Sequence, residues 1–250
     1  MRVVITGAAG RIGSEIVEEL SGSYDLCLLD RNPVHGCESI IADLAQYQAR
    51  ARLSPCREGG PLRWTDAFEG AEIVIHLAED PNPDAAWQRV LNNNIQATWN
   101  VLQTAVRHRV RRVVYASSNW VVKALEWELA PACYEPDGPK IGSDVTPRPI
   151  TPYGIAKAFG EITGRMLVDE KKLGSFVAVR IGWYTPNPPD NEDYHRLAIG
   201  AQDLRSLFRC CVEAEFGEFQ VVYGVSAQKI SPYDLSYTRR LLSWEPKQLL

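Results

Sequence analysis

Val3-Val4-Ile5-Thr6-Gly7-Ala8-Ala9-Gly10-Arg11-Ile12-Gly13 decides the fold of this chain. Residues 3 to 6 are apolar or β-branched and predict a buried strand. Three glycines spaced three apart follow, and Ile12, Ile16, Val17 and Leu20 then recur at helical spacing. A strand, a glycine turn and a helix N-terminus together build a pocket for a pyrophosphate. Gly7 allows the tight turn, Gly10 the approach of backbone to phosphate, and Gly13 the close packing of helix on strand. The helix end supplies unpaired N–H groups and a partial positive charge. The candidate cradle is Gly7, Ala9, Gly10, Arg11, Ile12 and Gly13.

A glycine triplet also closes ordinary strand ends, so its context matters. A second predicted strand, Tyr24 to Leu29, ends in Asp30, 17 residues beyond Gly13. That is where a dinucleotide fold places a carboxylate for the adenosine ribose hydroxyls. A carboxylate there repels a 2′-phosphate and favours NAD over NADP; Arg31 beside it weakens the preference. The plain alternative for Asp30 is a turn residue.

Strand and helix signals alternate through the first two-thirds of the chain. Short apolar strands are expected at 39–42 and 72–77, the second nearly continuous, as suits a strand covered on both faces. A long helix follows at 84–108, a strand at 111–117, a helix at 153–171 and a strand at 176–181. Between about Glu126 and Pro152 the chain is polar and proline-rich and reads as a long loop. This alternation predicts an α/β, doubly wound parallel sheet with ligands at the carboxyl ends of the strands. After Gly182 the character changes: a loop at 185–190, a helix at 201–216, a strand at 219–223 and a short remainder. The expected division is 1–182 for a cofactor-binding domain with the catalytic residues and 183–250 for a small substrate-binding subdomain or lid.

At 250 residues with 45% apolar and 23% charged content, the chain is long enough for one substantial core. Its net charge of −4 gives no electrostatic reason to expect nucleic acid or an anionic membrane. No apolar run approaches the roughly 20 residues that span a bilayer, and the strand predicted from residue 3 begins where a signal peptide would stand. Six cysteines (27, 37, 56, 133, 210, 211) lack metal-binding spacing and read as reduced thiols of a cytoplasmic protein. Cys210 and Cys211 fall on a predicted helix, where neighbours point apart. The histidines show no metal pattern, so no metal is expected.

Tyr153-Gly-Ile-Ala-Lys157 places a phenol and an ammonium four apart on one helix face. A nearby cation favours a phenolate. Such a tyrosine can take the proton of a substrate hydroxyl while hydride leaves the same carbon for a nicotinamide. Lys157 can also bond the nicotinamide ribose, and Ser118, just past the 111–117 strand, can hold the substrate oxygen. Alone, a tyrosine and lysine at this spacing are better explained by a surface pair.

With these motifs in place, the chain resembles the extended short-chain dehydrogenase/reductase family, also called the NAD-dependent epimerase/dehydratase family. The resemblance rests on Gly7-Ala-Ala-Gly10-Arg-Ile-Gly13, Asp30, Asp43-Leu44, His76-Leu77-Ala78, Asn94-Ile-Gln-Ala-Thr98, Tyr115-Ala-Ser-Ser118 and Tyr153-Gly-Ile-Ala-Lys157. It implies a Rossmann fold, Ser118, Tyr153 and Lys157 as the catalytic set, Asp43, Leu44 and Ala78 near the adenosine, and Asn94 as a helix residue supporting the site. The candidate cofactor set also takes in Arg31, Leu77, Glu79 and Ile181, with Tyr153 and Lys157. The family often pairs through its two long helices, which implies a homodimer or larger assembly.

Within the family the chain is most similar to the uronate dehydrogenases, which oxidise the anomeric carbon of a hexuronate with NAD. Ala116-Ser-Ser-Asn119, Arg148-Pro-Ile-Thr-Pro-Tyr153, Val179-Arg-Ile-Gly182, Thr185-Pro-Asn-Pro188, Val221-Val-Tyr-Gly-Val-Ser226 and Leu242-Ser-Trp-Glu-Pro-Lys247 carry that likeness. Three places depart from it. Trp120 stands where those enzymes usually carry a histidine, and Trp183 where they carry a serine. After His76-Leu77 the chain reads Ala-Glu-Asp-Pro-Asn-Pro, without their small serine-bearing turn. Two indoles should narrow the pocket and offer flat faces for a sugar ring. Arg196 lies near the position of their carboxylate-binding arginine. The candidate substrate set is Ser118, Asn119, Trp120, Trp183 and Arg196. The plain alternatives are packing for the tryptophans, a turn for Asn119 and a solvated charge for Arg196.

The expected function is an NAD-dependent oxidoreductase acting on a sugar or sugar acid. Two other readings use the same motifs: a nucleotide-sugar epimerase or dehydratase that keeps and regenerates its NAD, and a non-catalytic dinucleotide sensor. The short region after Gly182 speaks against the first, and the presence of both Tyr153 and Lys157 against the second.

Overall fold

A computed structural model describes residues 1–47, 50–54, 62–186, 190–227 and 230–248. Cys56 and the Asn187–Pro189 part of the proline loop lie outside the described residues. Seven parallel strands form the sheet: β1 (Arg2–Thr6), β2 (Asp25–Asp30), β3 (Ser39–Ile41), β6 (Ile73–His76), β7 (Arg112–Ser118), β8 (Ser175–Ile181) and β9 (Glu218–Gly224). Two antiparallel strands, β4 (Arg50–Ser54) and β5 (Leu62–Arg63), extend one edge. The order is β5-β4-β3-β2-β1-β6-β7-β8-β9. The chain therefore runs outward from β1 on one side and restarts at β6 on the other, which opens a crevice at the carboxyl ends of β1 and β6.

The sheet is covered on both faces. Val3 and Ile5 of β1 enter one core with Ile16 and Leu20 of α1 (Arg11–Leu20), whereas Val4 between them enters the other with Val101 and Leu102. The alternation follows from the two-residue period of a strand. The expected helix at 84–108 is less regular than its sequence suggests. It comprises α2 (Trp87–Val90), a π-helical segment Leu91–Gln96 and α3 (Ala97–Arg107). The preceding residues form a turn in which the Asp84 amide donates to Asn82 Oδ1.

The expected loop from Glu126 to Pro152 is partly structured. Glu126 lies inside α4 (Lys123–Leu129), a turn of 3-10 helix covers Ala132–Tyr134, and Ile141 bridges to Tyr233. Its polar residues satisfy one another in the interior. Glu126, 1% exposed, pairs with Lys123 at 2.5 Å and accepts from the Tyr134 and Tyr233 hydroxyls at 2.7 and 2.6 Å.

Next come α5 (Pro152–Asp169) and β8. Beyond Gly182, α6 (Glu192–Leu197) rims the crevice, while α7 (Ala201–Glu213) and β9 return to the sheet. Residues of α7 share a core with those of α1, and α8 (Ser236–Leu242) closes that side. Cys27, Cys37, Cys133, Cys210 and Cys211 are free thiols, the last two adjacent on α7. Among the described residues no helix is long and apolar enough to cross a membrane, and no cluster of His, Cys, Asp or Glu could hold a metal ion.

Candidate active site

A cleft of about 950 Å³ opens at the carboxyl ends of the central strands. Gly7, Gly10, Arg11, Ile12 and Gly13 line one end. Gly7 has φ +74°, and a Cβ there would stand 2.7 Å from the Ala78 nitrogen. A Cβ on Gly13 would stand 2.1 Å from the Gly7 carbonyl oxygen. Neither position admits another residue. At the start of α1, no side chain caps the helix and no acidic residue occupies its first turn. Its N–H groups are thus left for an anion. Asp30 closes β2 beside this turn, accepting the amides of Ala9 at 3.0 Å and Asn32 at 2.9 Å. Arg31 points to Asp43 (3.0 Å) and Asn93 (2.7 Å). Leu44 is buried.

Asn94 is fully buried, and its amide group brackets Asp80: Oδ1 accepts the Asp80 N–H at 3.1 Å and Nδ2 donates to the Asp80 carbonyl at 3.0 Å. It holds the loop after β6, which carries Leu77, Ala78 and Glu79. The π-helical segment sets the direction in which Asn94 projects.

Ser118, Tyr153 and Lys157 all line the same cleft, at 5%, 8% and 5% exposure. Thr151 caps α5 by accepting the Gly154 amide at 3.1 Å, and Pro152 takes the first helical position. Both favour a helix start there, which places Tyr153 in its first turn. Ser118 Oγ accepts the Trp120 amide and donates to Asn119 Oδ1, each at 3.3 Å. Lys157 Nζ lies 5.6 Å from the Tyr153 ring centroid and donates to the Ala116 carbonyl at 2.6 Å.

Two buried carboxylates sit behind these groups. Glu79, 2% exposed in its side chain, faces Lys157 Nζ at 2.9 Å and accepts from the hydroxyls of Tyr115 (2.7 Å) and Thr98 (2.8 Å). Thr98 has one hydrogen, and it goes to Glu79. Its contact with His76 Nε2 at 3.0 Å must then be accepted, and His76 Nδ1 accepts from Thr6 at 2.7 Å. Burial, aided by Lys157, holds the His76 ring neutral, with its pKa lowered to about 3. Burial also works against the Lys157 ammonium, but Glu79, Tyr153 and Glu161 together outweigh it and the net shift is upward. Glu161 forms a two-pronged pair with Arg180 at 3.0 and 2.9 Å and accepts from Ser117 at 2.5 Å.

The far end of the cleft carries Trp120, Trp183, Trp127, Tyr134, Lys123 and Arg196. Trp183 is 46% exposed and meets Tyr194 edge-on. A backbone bridge to Ala198 fixes it against the end of α6. Arg196 pairs with Glu192 at 2.8 Å and lies 5.2 Å from the Tyr134 ring centroid. Asn119 is buried in the turn that ends β7.

A model of the NAD dependent epimerase/dehydratase family matches residues 3–206. The chain belongs to this family. An NAD-dependent glucose-6-phosphate dehydrogenase of Haloferax volcanii is 35% identical over 259 residues, covering 98% of this chain and 92% of that protein. An L-arabinose 1-dehydrogenase (NAD(P)(+)) of the same organism is 36% identical, covering 98% and 96%. A crystal structure of a mutant uronate dehydrogenase from Agrobacterium tumefaciens complexed with NAD superposes with a TM-score of 0.78 at 28% identity, covering 99% of this chain and 84% of that one.

As a member of the epimerase/dehydratase family, the chain carries groups that its motifs do not announce. Glu79 stood in the sequence reading only as a neighbour of the cofactor; in the structure it lies behind Lys157. Glu126, Glu161, Arg180 and Tyr115 carry no role of their own in the sequence reading. The available signal was a charged residue inside an apolar strand, as at Arg180 within Ser175–Ile181, or within a helix core, as at Glu161.

Proposed function

We propose that this protein oxidises a hydroxyl-bearing carbon of a sugar or sugar acid, with NAD as hydride acceptor. The observation that carries the reading is the meeting of Ser118, Tyr153 and Lys157 in one cleft with the Gly7–Gly13 cradle. The cradle fits a dinucleotide: two positions exclude any Cβ, and the start of α1 is free of side-chain caps. Gly7, Ala9, Gly10, Arg11, Ile12 and Gly13 would hold the pyrophosphate. Asp30 would take the adenosine ribose, with Asp43, Leu44 and Ala78 beside the adenosine. Leu77, Ile181 and Lys157 would flank the nicotinamide end. The cofactor, when bound, supplies the hydride acceptor.

Tyr153 accepts the proton of the substrate hydroxyl, Lys157 favours its anionic form, and Ser118 fixes the substrate oxygen. Trp120 and Trp183 offer apolar faces to the sugar ring, and Arg196 supplies positive charge at the rim. Residues 1–182 thus carry cofactor and chemistry, while Trp183 and Arg196 of 183–250 join Trp120 on the substrate side. Asp30 favours NAD over NADP, and Arg31 does not offset it because Asp43 and Asn93 hold its guanidinium. The exposed Ile155, Ile162 and Met166 on α5, together with exposed Trp99 on α3, support self-association through these helices.

Purified protein mixed with NAD and a panel of aldoses, uronates and sugar phosphates should produce NADH with at least one. The Tyr153→Phe variant should keep NADH binding and lose about 100-fold or more in kcat. No reduction across the panel, with NAD retained through purification, would overturn the net dehydrogenase reading.

A further inference from the structure

Glu79 has no role in the chemistry outlined above. A carboxylate this buried is costly unless something in the site requires it. Its contact with Lys157 supplies a reason, given the reading of Tyr153 as base on which this inference rests. Tyr153 and Lys157 can lose one proton to solvent in two ways. Loss from Tyr153 leaves a phenolate beside an ammonium. Loss from Lys157 leaves two neutral groups and no phenolate to take the substrate proton. Burial favours the second route, because it removes both charges. A negative charge 2.9 Å from Lys157 Nζ reverses that preference by binding the ammonium.

We infer that Glu79 is a positioning residue that keeps the ammonium on Lys157, so that the proton the pair surrenders comes from Tyr153. The other groups facing Lys157 do less. His76 is neutral, with its proton on Nε2 directed to Thr98. Burial, then Glu79, pushes Tyr115 well up, and it stays a neutral donor to that carboxylate. Glu161 favours the ammonium too, but as the weakest of these influences, with its oxygens engaged by Arg180 and Ser117. The Ala116 carbonyl fixes where Nζ sits without preferring its charged form as a carboxylate does. Thr98 and Tyr115 both donate to Oε1, which leaves Oε2 turned toward the ammonium.

Glu79→Gln tests the inference, because it keeps an acceptor for Thr98 and Tyr115 and removes only the charge. Tyrosinate absorbance is titrated in NAD-loaded protein, with the Tyr153→Phe counterpart subtracted to isolate residue 153. The phenolate of Tyr153 should form about one pH unit or more higher in Glu79→Gln than in the parent. Glu79→Asp, whose charge is retained on a shorter arm, should fall between them, and it carries the test if Glu79→Gln does not fold. Against a sugar that the parent oxidises, kcat at neutral pH should fall about tenfold or more with KM changed far less. An unmoved or lowered midpoint in both variants overturns the inference, since packing alone leaves the midpoint in place and simple repulsion lowers it. The titration needs no sugar, so a parent that oxidises none defeats the functional reading and leaves this readout intact.

Discussion

His76, 1% exposed at the end of β6, spends its two ring nitrogens on Thr6 and Thr98. Its pKa in the folded protein is lowered to about 3, by burial first and then by Lys157. In the unfolded chain it takes a proton near the ordinary value of about 6.5. The folded state thus binds fewer protons between these limits. The contribution is intact above the unfolded value and falls by about 1.4 kcal/mol per pH unit as pH drops toward the folded one. Thermal melts of the parent should therefore lose Tm below neutral pH more steeply than melts of His76→Gln; parallel slopes would exclude a neutral buried imidazole. At this scale the sequence was readable where chemistry imposes a spacing. The glycines of the cradle and the Tyr153–Lys157 pair need fixed separations along the chain. Glu79, Glu161 and Arg180 have no such constraint. Their partners are met across the sheet, with Arg180 on β8 reaching Glu161 on α5, and nothing local signals that meeting.

Helix α5 shows how an element is placed to serve the site. Thr151 and Pro152 define its first turn, and Tyr153 sits in that turn. Thr151→Ala removes the cap to the Gly154 amide and should cost about 1 kcal/mol of stability. It should also lower kcat, because the end that loosens is the end that carries the phenol. Equilibrium denaturation and steady-state kinetics on the same preparation check both; a stability loss with kcat unchanged would show that packing against the sheet alone positions Tyr153. Helices and central strands were legible because apolar periodicity reports burial. β4 and β5 were not, since two short antiparallel strands at an edge carry little of it. The α4 segment was misread as a loop because its polar groups, led by Glu126, resolve their charges inside the fold rather than in water.

At the scale of the whole molecule, the candidate cleft and the proposed self-association face share α5. Ile162→Glu, placed at the centre of the exposed α5 stripe, should shift the protein to a smaller species in sedimentation or light scattering while leaving NADH binding in place. An unchanged mass would remove this face from consideration. The doubly wound sheet was predictable because alternating strands and helices admit few topologies, whereas the interior of the long helix was not: its π-helical segment leaves no mark in composition. That segment holds one residue more than ordinary winding needs. Deleting one residue within Leu91–Gln96 would restore ordinary winding and keep α3 in phase, so Trp99 would go on facing outward. Asn94, inside the segment, would take a new direction, lose its hold on Asp80 and release the loop behind Lys157. One lost codon in that stretch would therefore harm the cleft and spare the assembly face, although both lie along the same stretch of helix.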